Sequence, residues 1–155
     1  MSVQPIPPGY TALTPFLVID GAAAAIDFYL EVFGAELVEK MDGPDGTVAH
    51  AELDFGSGRL QLSDPMADYG LVAAARTEPV THSVVLYCAD TDAVVERAER
   101  AGATIREPVQ TFVTGDRYAS IVDPFGQRWA VMTRVEEVDA AERERRLSQW
   151  AAANG

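Results

Sequence analysis

The sequence predicts an α+β protein made of two tandem βαβββ modules followed by a C-terminal helix. Three observations carry that expectation: an internal repeat, the same order of hydrophobic periods in both halves, and a turn glycine at the same place in each. Phe33-Gly34-Ala35-Glu36-Leu37-Val38-Glu39 reads against Ala101-Gly102-Ala103-Thr104-Ile105-Arg106-Glu107, an offset of 68 residues from Gly34 to Gly102. The same shift carries Ile26, Leu30 and Phe33 onto Val94, Ala98 and Ala101. It also carries Ala51 and Leu53 onto Ala119 and Ile121, and Gly58 onto Gly126. Such a period is too long for a solenoid and suits a duplicated module of roughly 60 residues.

In the first half, residues 12–19 are apolar and β-rich and read as a buried strand. Asp20 is placed to N-cap a helix. Ile26, Tyr29, Leu30 and Phe33 then form one apolar stripe at helical spacing, and Gly34 ends it. Residues 36–41 are a strand, and Gly43-Pro44-Asp45-Gly46 a turn. Residues 47–55 alternate, with Ala49, Ala51, Leu53 and Phe55 on one face and His50, Glu52 and Asp54 on the other. Gly56-Ser57-Gly58 turns the chain into a strand over 59–63. The second half repeats this with a strand over 80–87 and a helix capped at Asp90 or Thr91 and stopped by Gly102. Strands follow over 103–110, 117–122 and 127–134, the last two joined by Asp123-Pro124-Phe125-Gly126. Asp139-Ala140-Ala141-Glu142 has the spacing of a capping box, opening a final helix with Leu147, Trp150 and Ala151 on its apolar edge. The expected organisation is an irregular arm over 1–10, a first module over 11–66, a connector over 67–79, a second module over 80–135 and the C-terminal helix within 136–155.

Composition bounds the function. The chain has 155 residues, of which 48% are hydrophobic and 23% charged, as in a soluble globular protein. One cysteine, Cys88, excludes an internal disulfide and a Cys-rich zinc site. The opening Met1-Ser2-Val3-Gln4-Pro5 has neither the basic nor the apolar region of a secretory signal, and no apolar run reaches the ~20 residues of a membrane span. The expectation is a cytoplasmic protein that engages no membrane. A net charge of −12 repels phosphate backbones, which argues against nucleic-acid binding and favours cationic partners. No P-loop, dinucleotide fingerprint or nucleophile elbow is present.

Several segments carry a family resemblance: Phe28-Tyr29-Leu30-Glu31-Val32-Phe33-Gly34-Ala35 near the front, Gly115-Asp116-Arg117-Tyr118, and Asp123-Pro124-Phe125-Gly126-Gln127-Arg128-Trp129 near the end. With the doubled βαβββ order, this resembles the vicinal oxygen chelate superfamily, which includes glyoxalase I, the bleomycin-resistance proteins and the extradiol dioxygenases. Val48-Ala49-His50-Ala51-Glu52-Leu53 and Leu62-Ser63-Asp64 are similar to its PhnB-like subgroup. The resemblance covers about residues 11–135. It implies curved mixed sheets enclosing a pocket, commonly completed in a homodimer, and roles that range from metal catalysis to antibiotic resistance by sequestration.

Metal-dependent members place His, Gln or Glu ligands at four strand positions, because a Lewis-acid ion needs three or four fixed donors. Carried over, those positions are Thr14, Gln61, His82 and Ala130. His82 is a strong donor and Gln61 a weak one, so no metal and no other cofactor is expected. His50 and Glu52 are the residues that could supplement His82.

The expected ligand-binding residues are Thr14, Phe16, Gln61, His82, Tyr118, Arg128 and Trp129, a mostly apolar cleft for a small aromatic or cationic molecule. The alternatives are a metal-free isomerase- or epimerase-like enzyme, with His82, Glu52 or His50 as base, and a divalent-metal lyase or dioxygenase. Arg59, Arg117 and Arg128 each offer a guanidinium to a carboxylate, while Phe125 and Trp129 also read as core aromatics.

Overall fold

The computed structural model describes residues 3–155; Met1 and Ser2, the start of the expected arm, lie outside the described residues. The chain divides into two compact units between Arg76 and Thr77. The first holds β1 (Phe16–Val18), α1 (Ala22–Phe33), β2 (Glu36–Asp42), β3 (Val48–Asp54) and β4 (Arg59–Ser63). Its sheet runs β1-β4-β3-β2, with β1 parallel to β4 and the other pairs antiparallel. The second holds β5 (Val84–Tyr87), α2 (Thr91–Arg100), β6 (Thr104–Thr111), β7 (Asp116–Val122), β8 (Arg128–Arg134) and α3 (Ala140–Asn154). Its sheet runs β5-β8-β7-β6 with the same pattern of directions. The protein is therefore two mixed four-stranded sheets with a helix in each βαβββ module and a third helix at the C-terminus. No helix among the described residues is long and apolar enough to cross a membrane.

Each core follows from periodicity. Ala22, Ala25, Ile26, Tyr29 and Val32 of α1 are buried, as are Leu17, Ala51, Leu53, Leu60 and Leu62 of its sheet. Val94, Val95 and Ala98 of α2 are buried with Ala119, Ile121, Trp129 and Val131. Gly34, at φ 70, closes α1 by donating its N–H to the Tyr29 carbonyl, a left-handed geometry that a Cβ would strain.

Four details depart from the sequence expectations. β1 and β5 are shorter than the runs over 12–19 and 80–87. Pro15 has no N–H for the ladder, and its carbonyl accepts the last bond, from Gln61 N at 2.9 Å. Asp20 does not cap α1. Gly21 is the N-cap residue and supplies no side chain, while Asp64, at the end of β4, accepts from Gly21 N at 3.0 Å and Ala22 N at 3.2 Å. Its second oxygen accepts from Val48 N at 2.7 Å. In β3 the strict alternation breaks: Asp42 faces Val48 while Met41 faces His50, so one extra residue bulges out. That bulge puts Val48 in the core and leaves Ala49 half-buried. Finally, the capping box of α3 is one-sided. Asp139 accepts from Glu142 N at 2.9 Å, but the Glu142 carboxylate turns to Arg145 and Arg146.

That last network holds α3 to its own unit. Arg146 grips Glu136 at 2.7 and 2.8 Å and Glu142 at 2.7 Å, and Trp150 meets Phe112 edge-on at 5.4 Å. The two guanidiniums, Arg145 first, pull the Glu142 carboxyl from an ordinary 4.5 down to about 2. A carboxyl depressed by folding contributes fully above its unfolded value and loses that contribution as pH falls through the folded one. The Trp150 indole resonance should thus hold constant down to about pH 4.5 and shift progressively toward pH 2 in an NMR titration. A transition centred at or above 4.5 would show that the network does not form in solution.

Candidate ligand-binding site

The residues of the open sheet face, opposite the helix, build the site in rows. In the first unit Phe16 lies beside Gln61, Gln61 beside Glu52, and Glu52 beside Glu39. The matching row of the second unit is Val85, Ala130, Ser120 and Glu107. The turn between β3 and β4 spans residues 55–58, whereas that between β7 and β8 spans 123–127, one residue longer. This extra residue moves the repeat offset from 68 at Glu52/Ser120 to 69 at Gln61/Ala130. The duplicated rows have therefore diverged chemically. The first carries a carboxylate and an amide where the second carries a hydroxyl and a methyl group.

A cleft of about 530 Å3 opens over the first row. Glu52, Gln61 and Thr14 form its polar part, and Pro5, Ile6, Pro7, Tyr10, Thr11 and Ala12 form the rest. Glu52 is the hub. Its Oε1 lies 3.3 Å from His50 Nε2 and accepts from Gln61 Nε2 at 3.2 Å, while Oε2 accepts a long bond from Arg59 Nη1 at 3.5 Å. The nearby Tyr10 hydroxyl, followed by His50 and Gln61, holds the Glu52 carboxyl below the usual carboxylate range, against the opposing effect of burial. Phe16 stands 6.1 Å from His50, ring centre to ring centre.

The arm is pinned by Arg59. Its guanidinium carbon lies 4.6 Å from the centre of the Tyr10 ring, a cation–π distance. Gly9, at φ +83, takes a left-handed conformation that a side chain would strain, and a Cβ there would come within 2.7 Å of Arg59 Nη2 and displace the guanidinium. Two buried side-chain polar atoms among the described residues, Tyr10 Oη and Arg59 Nε, make no hydrogen bond of full geometry, although the Tyr10 hydroxyl lies close enough to act on both the Glu52 carboxylate and the Arg59 guanidinium. Arg59 Nε has only an ionic approach to Asp54 at 3.7 Å. A buried donor left unsatisfied costs about 1–3 kcal/mol.

Of the residues read from the sequence, Thr14, Glu52 and Gln61 share this cleft, with His50 and Phe16 beside it. His82, Tyr118, Arg128 and Trp129 belong to the second unit. Tyr118 and Arg128 converge on one carboxylate, Glu107. The Tyr118 hydroxyl donates to it, and Arg128 Nη2 donates at 3.0 Å. Burial, then Glu107, pushes the Tyr118 phenol up. His82 is exposed, its Nδ1 3.2 Å from Thr81 Oγ1. Trp129 is 1% exposed and donates its indole N–H to Asp123 at 3.0 Å, which gives it a packing role. Sequence reasoning missed Tyr10 and the prolines as walls. The run Pro5, Pro7, Pro8 signals an irregular arm, but no period in it shows that the arm folds over a sheet.

The four positions that would hold a metal do not fit one. Ala130 has no donor atom and Thr14 has only a hydroxyl, which leaves the His82 imidazole and the Gln61 amide oxygen, two ligands where a held ion needs three or four. No group of three or more His, Cys, Asp or Glu side chains comes together among the described residues.

Comparison with known proteins agrees with this architecture. An uncharacterized protein of Mycobacterium bovis is 37% identical over 142 residues, 88% of this chain and 92% of its own. TioX of Micromonospora sp. ML1 superposes with a TM-score of 0.63 at 26% identity, over 80% of this chain and 98% of its own. A PhnB protein from Bacillus cereus gives 0.62 at 21% identity, over 79% and 99%, a likeness of fold alone. Residues 10–131 match the model of the Glyoxalase/Bleomycin resistance protein/Dioxygenase superfamily, and the chain belongs to that superfamily.

Proposed function

We propose that the protein binds a small planar molecule in the cleft of its first unit, without a catalytic metal. The observation that carries this reading is the pairing of an ionised carboxylate, Glu52, with apolar walls of proline, isoleucine and tyrosine. Such walls hold an aromatic body by burial and contact, while one polar group sets its orientation. The carboxylate and the net charge of −12 both favour a ligand with a cationic or N–H edge.

A metal-free enzyme is the weaker reading. A general base works best when its pKa lies near the working pH, and Glu52 is displaced the other way. Of the other two candidate bases, His82 has the Thr81 hydroxyl beside its Nδ1, and His50 has its Nε2 engaged 3.3 Å from the Glu52 carboxylate. Cytoplasmic location and a homodimer belong to the same proposal on family grounds, and light scattering reads the dimer directly.

Titration with proflavine, a planar aromatic cation, tests the binding reading. Its fluorescence should change with a Kd in the micromolar range, and Glu52→Gln should raise that Kd about tenfold, the equivalent of roughly 1.4 kcal/mol. No saturable binding by the unaltered protein would end the proposal. Equal affinity in the variant would remove Glu52 from it.

A further inference from the structure

We infer that residues 5–12 are a strap that closes on the ligand, and that Tyr10 of the strap and Arg59 of the sheet beneath it recognise an acceptor oxygen, a carbonyl or phenolate, on the ligand's planar ring. This rests on the reading of the cleft as a small-molecule site and names a chemical class for it.

The two buried polar atoms among the described residues that make no hydrogen bond of full geometry sit at one place, where the strap meets the sheet. Both can donate: a phenolic O–H and a guanidinium N–H. Buried donors without partners are uncommon, and a missing ligand oxygen or water is among the recognised reasons for them. Next to them lies the opposite chemistry, the Glu52 carboxylate with the Gln61 amide. Donors and a carboxylate lining one cleft match a ring that carries an acceptor oxygen on one edge and an N–H or cationic group on another.

The strap makes that recognition conditional. Tyr10 Oη and Arg59 Nε are both buried, so a ligand reaches them only when the strap that carries Tyr10 shifts and settles again. The fastening is slight enough to permit this. It consists of the Tyr10 ring under the guanidinium and the bare Gly9 backbone against Nη2, while the backbone bond from Tyr10 N to Pro7 O at 3.1 Å closes a turn within the strap itself. Proline at positions 5, 7 and 8 removes three backbone donors that would tie the strap to the sheet.

Acridine and 9-acridone test the inference, since they share one ring skeleton and acridone adds a carbonyl oxygen and an N–H. The unaltered protein should bind acridone about tenfold more tightly than acridine. Tyr10→Phe, which keeps the ring against Arg59, and Arg59→Lys should each bring that ratio toward one. Backbone hydrogen exchange over residues 5–12 should slow when acridone is bound. Equal affinity for the two probes, or a ratio unchanged in Tyr10→Phe, overturns the acceptor-oxygen assignment and leaves the cleft reading standing. Unslowed exchange with acridone bound overturns the strap. Failure of acridine, acridone and proflavine alike to bind overturns both the inference and the reading beneath it.

Discussion

Asp123→Ala should lower the free energy of unfolding by about 4 kcal/mol, more than any other single change considered for this chain. Asp123 is 4% exposed and serves three donors. Its Oδ1 accepts from Phe125 N and Gln127 N, both at 2.9 Å, and its Oδ2 accepts from Trp129 Nε1 at 3.0 Å. Removal frees two turn amides and takes the carboxylate acceptor from an indole N–H inside the core, where Trp129 is 1% exposed. Each such loss costs about 1–3 kcal/mol. The apparent Tm should fall by about 8–16 °C, given roughly 2–4 °C per kcal/mol for a domain of this size. Urea denaturation followed by circular dichroism checks it. The double variant Asp123→Ala with Trp129→Phe should recover part of the loss, because it removes the stranded donor along with its acceptor. A single-variant loss under about 1 kcal/mol would mean that the turn is held by its proline and glycine geometry instead.

Asp64→Ala is expected to cost about 3 kcal/mol. Its carboxylate does for α1 what a local cap would normally do, and it also ties Val48 N to the end of β4. Asp64 N in turn donates to the Val48 carbonyl at 2.9 Å, so the two residues are doubly joined. Three separate places in the chain, residues 21–22, 48 and 64, therefore depend on one side chain. Asp64→Asn should recover about half, since one oxygen remains for the helix while the new amide faces the Val48 N–H, donor against donor. Amide exchange at Val48 should accelerate in both variants. Unchanged exchange there would assign the stability loss to the helix end alone.

These two aspartates show where sequence reasoning reaches and where it stops. Asp123 was legible as turn chemistry, because Asp-Pro-x-Gly between two apolar runs has a local mechanism. Its bond to Trp129 was not, since that depends on which face of β8 the indole takes. The capping of α1 was misplaced on Asp20 because local spacing favours a neighbour, whereas the true acceptor lies 43 residues from Gly21. The helices and strands were largely readable from periodicity, and the repeat exposed the doubled order. The bulge at Val48 was not readable, because one extra residue leaves no trace in an alternating pattern. For the site, Thr14, Glu52 and Gln61 were within reach of strand register. Tyr10 entered only with the fold, because nothing local in a proline-bearing segment states which surface it crosses.

β2 carries one more consequence. All seven of its residues, Glu36–Asp42, are exposed, and it forms a margin of its sheet. Leu37, Val38 and Met41 stand among Glu36, Glu39, Lys40 and Asp42 there. Its outward amides and carbonyls are a template for fibrillar stacking, and the strand contains no proline to block them. What keeps such fringes apart is mutual repulsion between acidic chains, a safeguard that concentrated salt or acidification weakens. Colloidal behaviour in storage is then governed at this margin by ionic conditions more than by conformational stability.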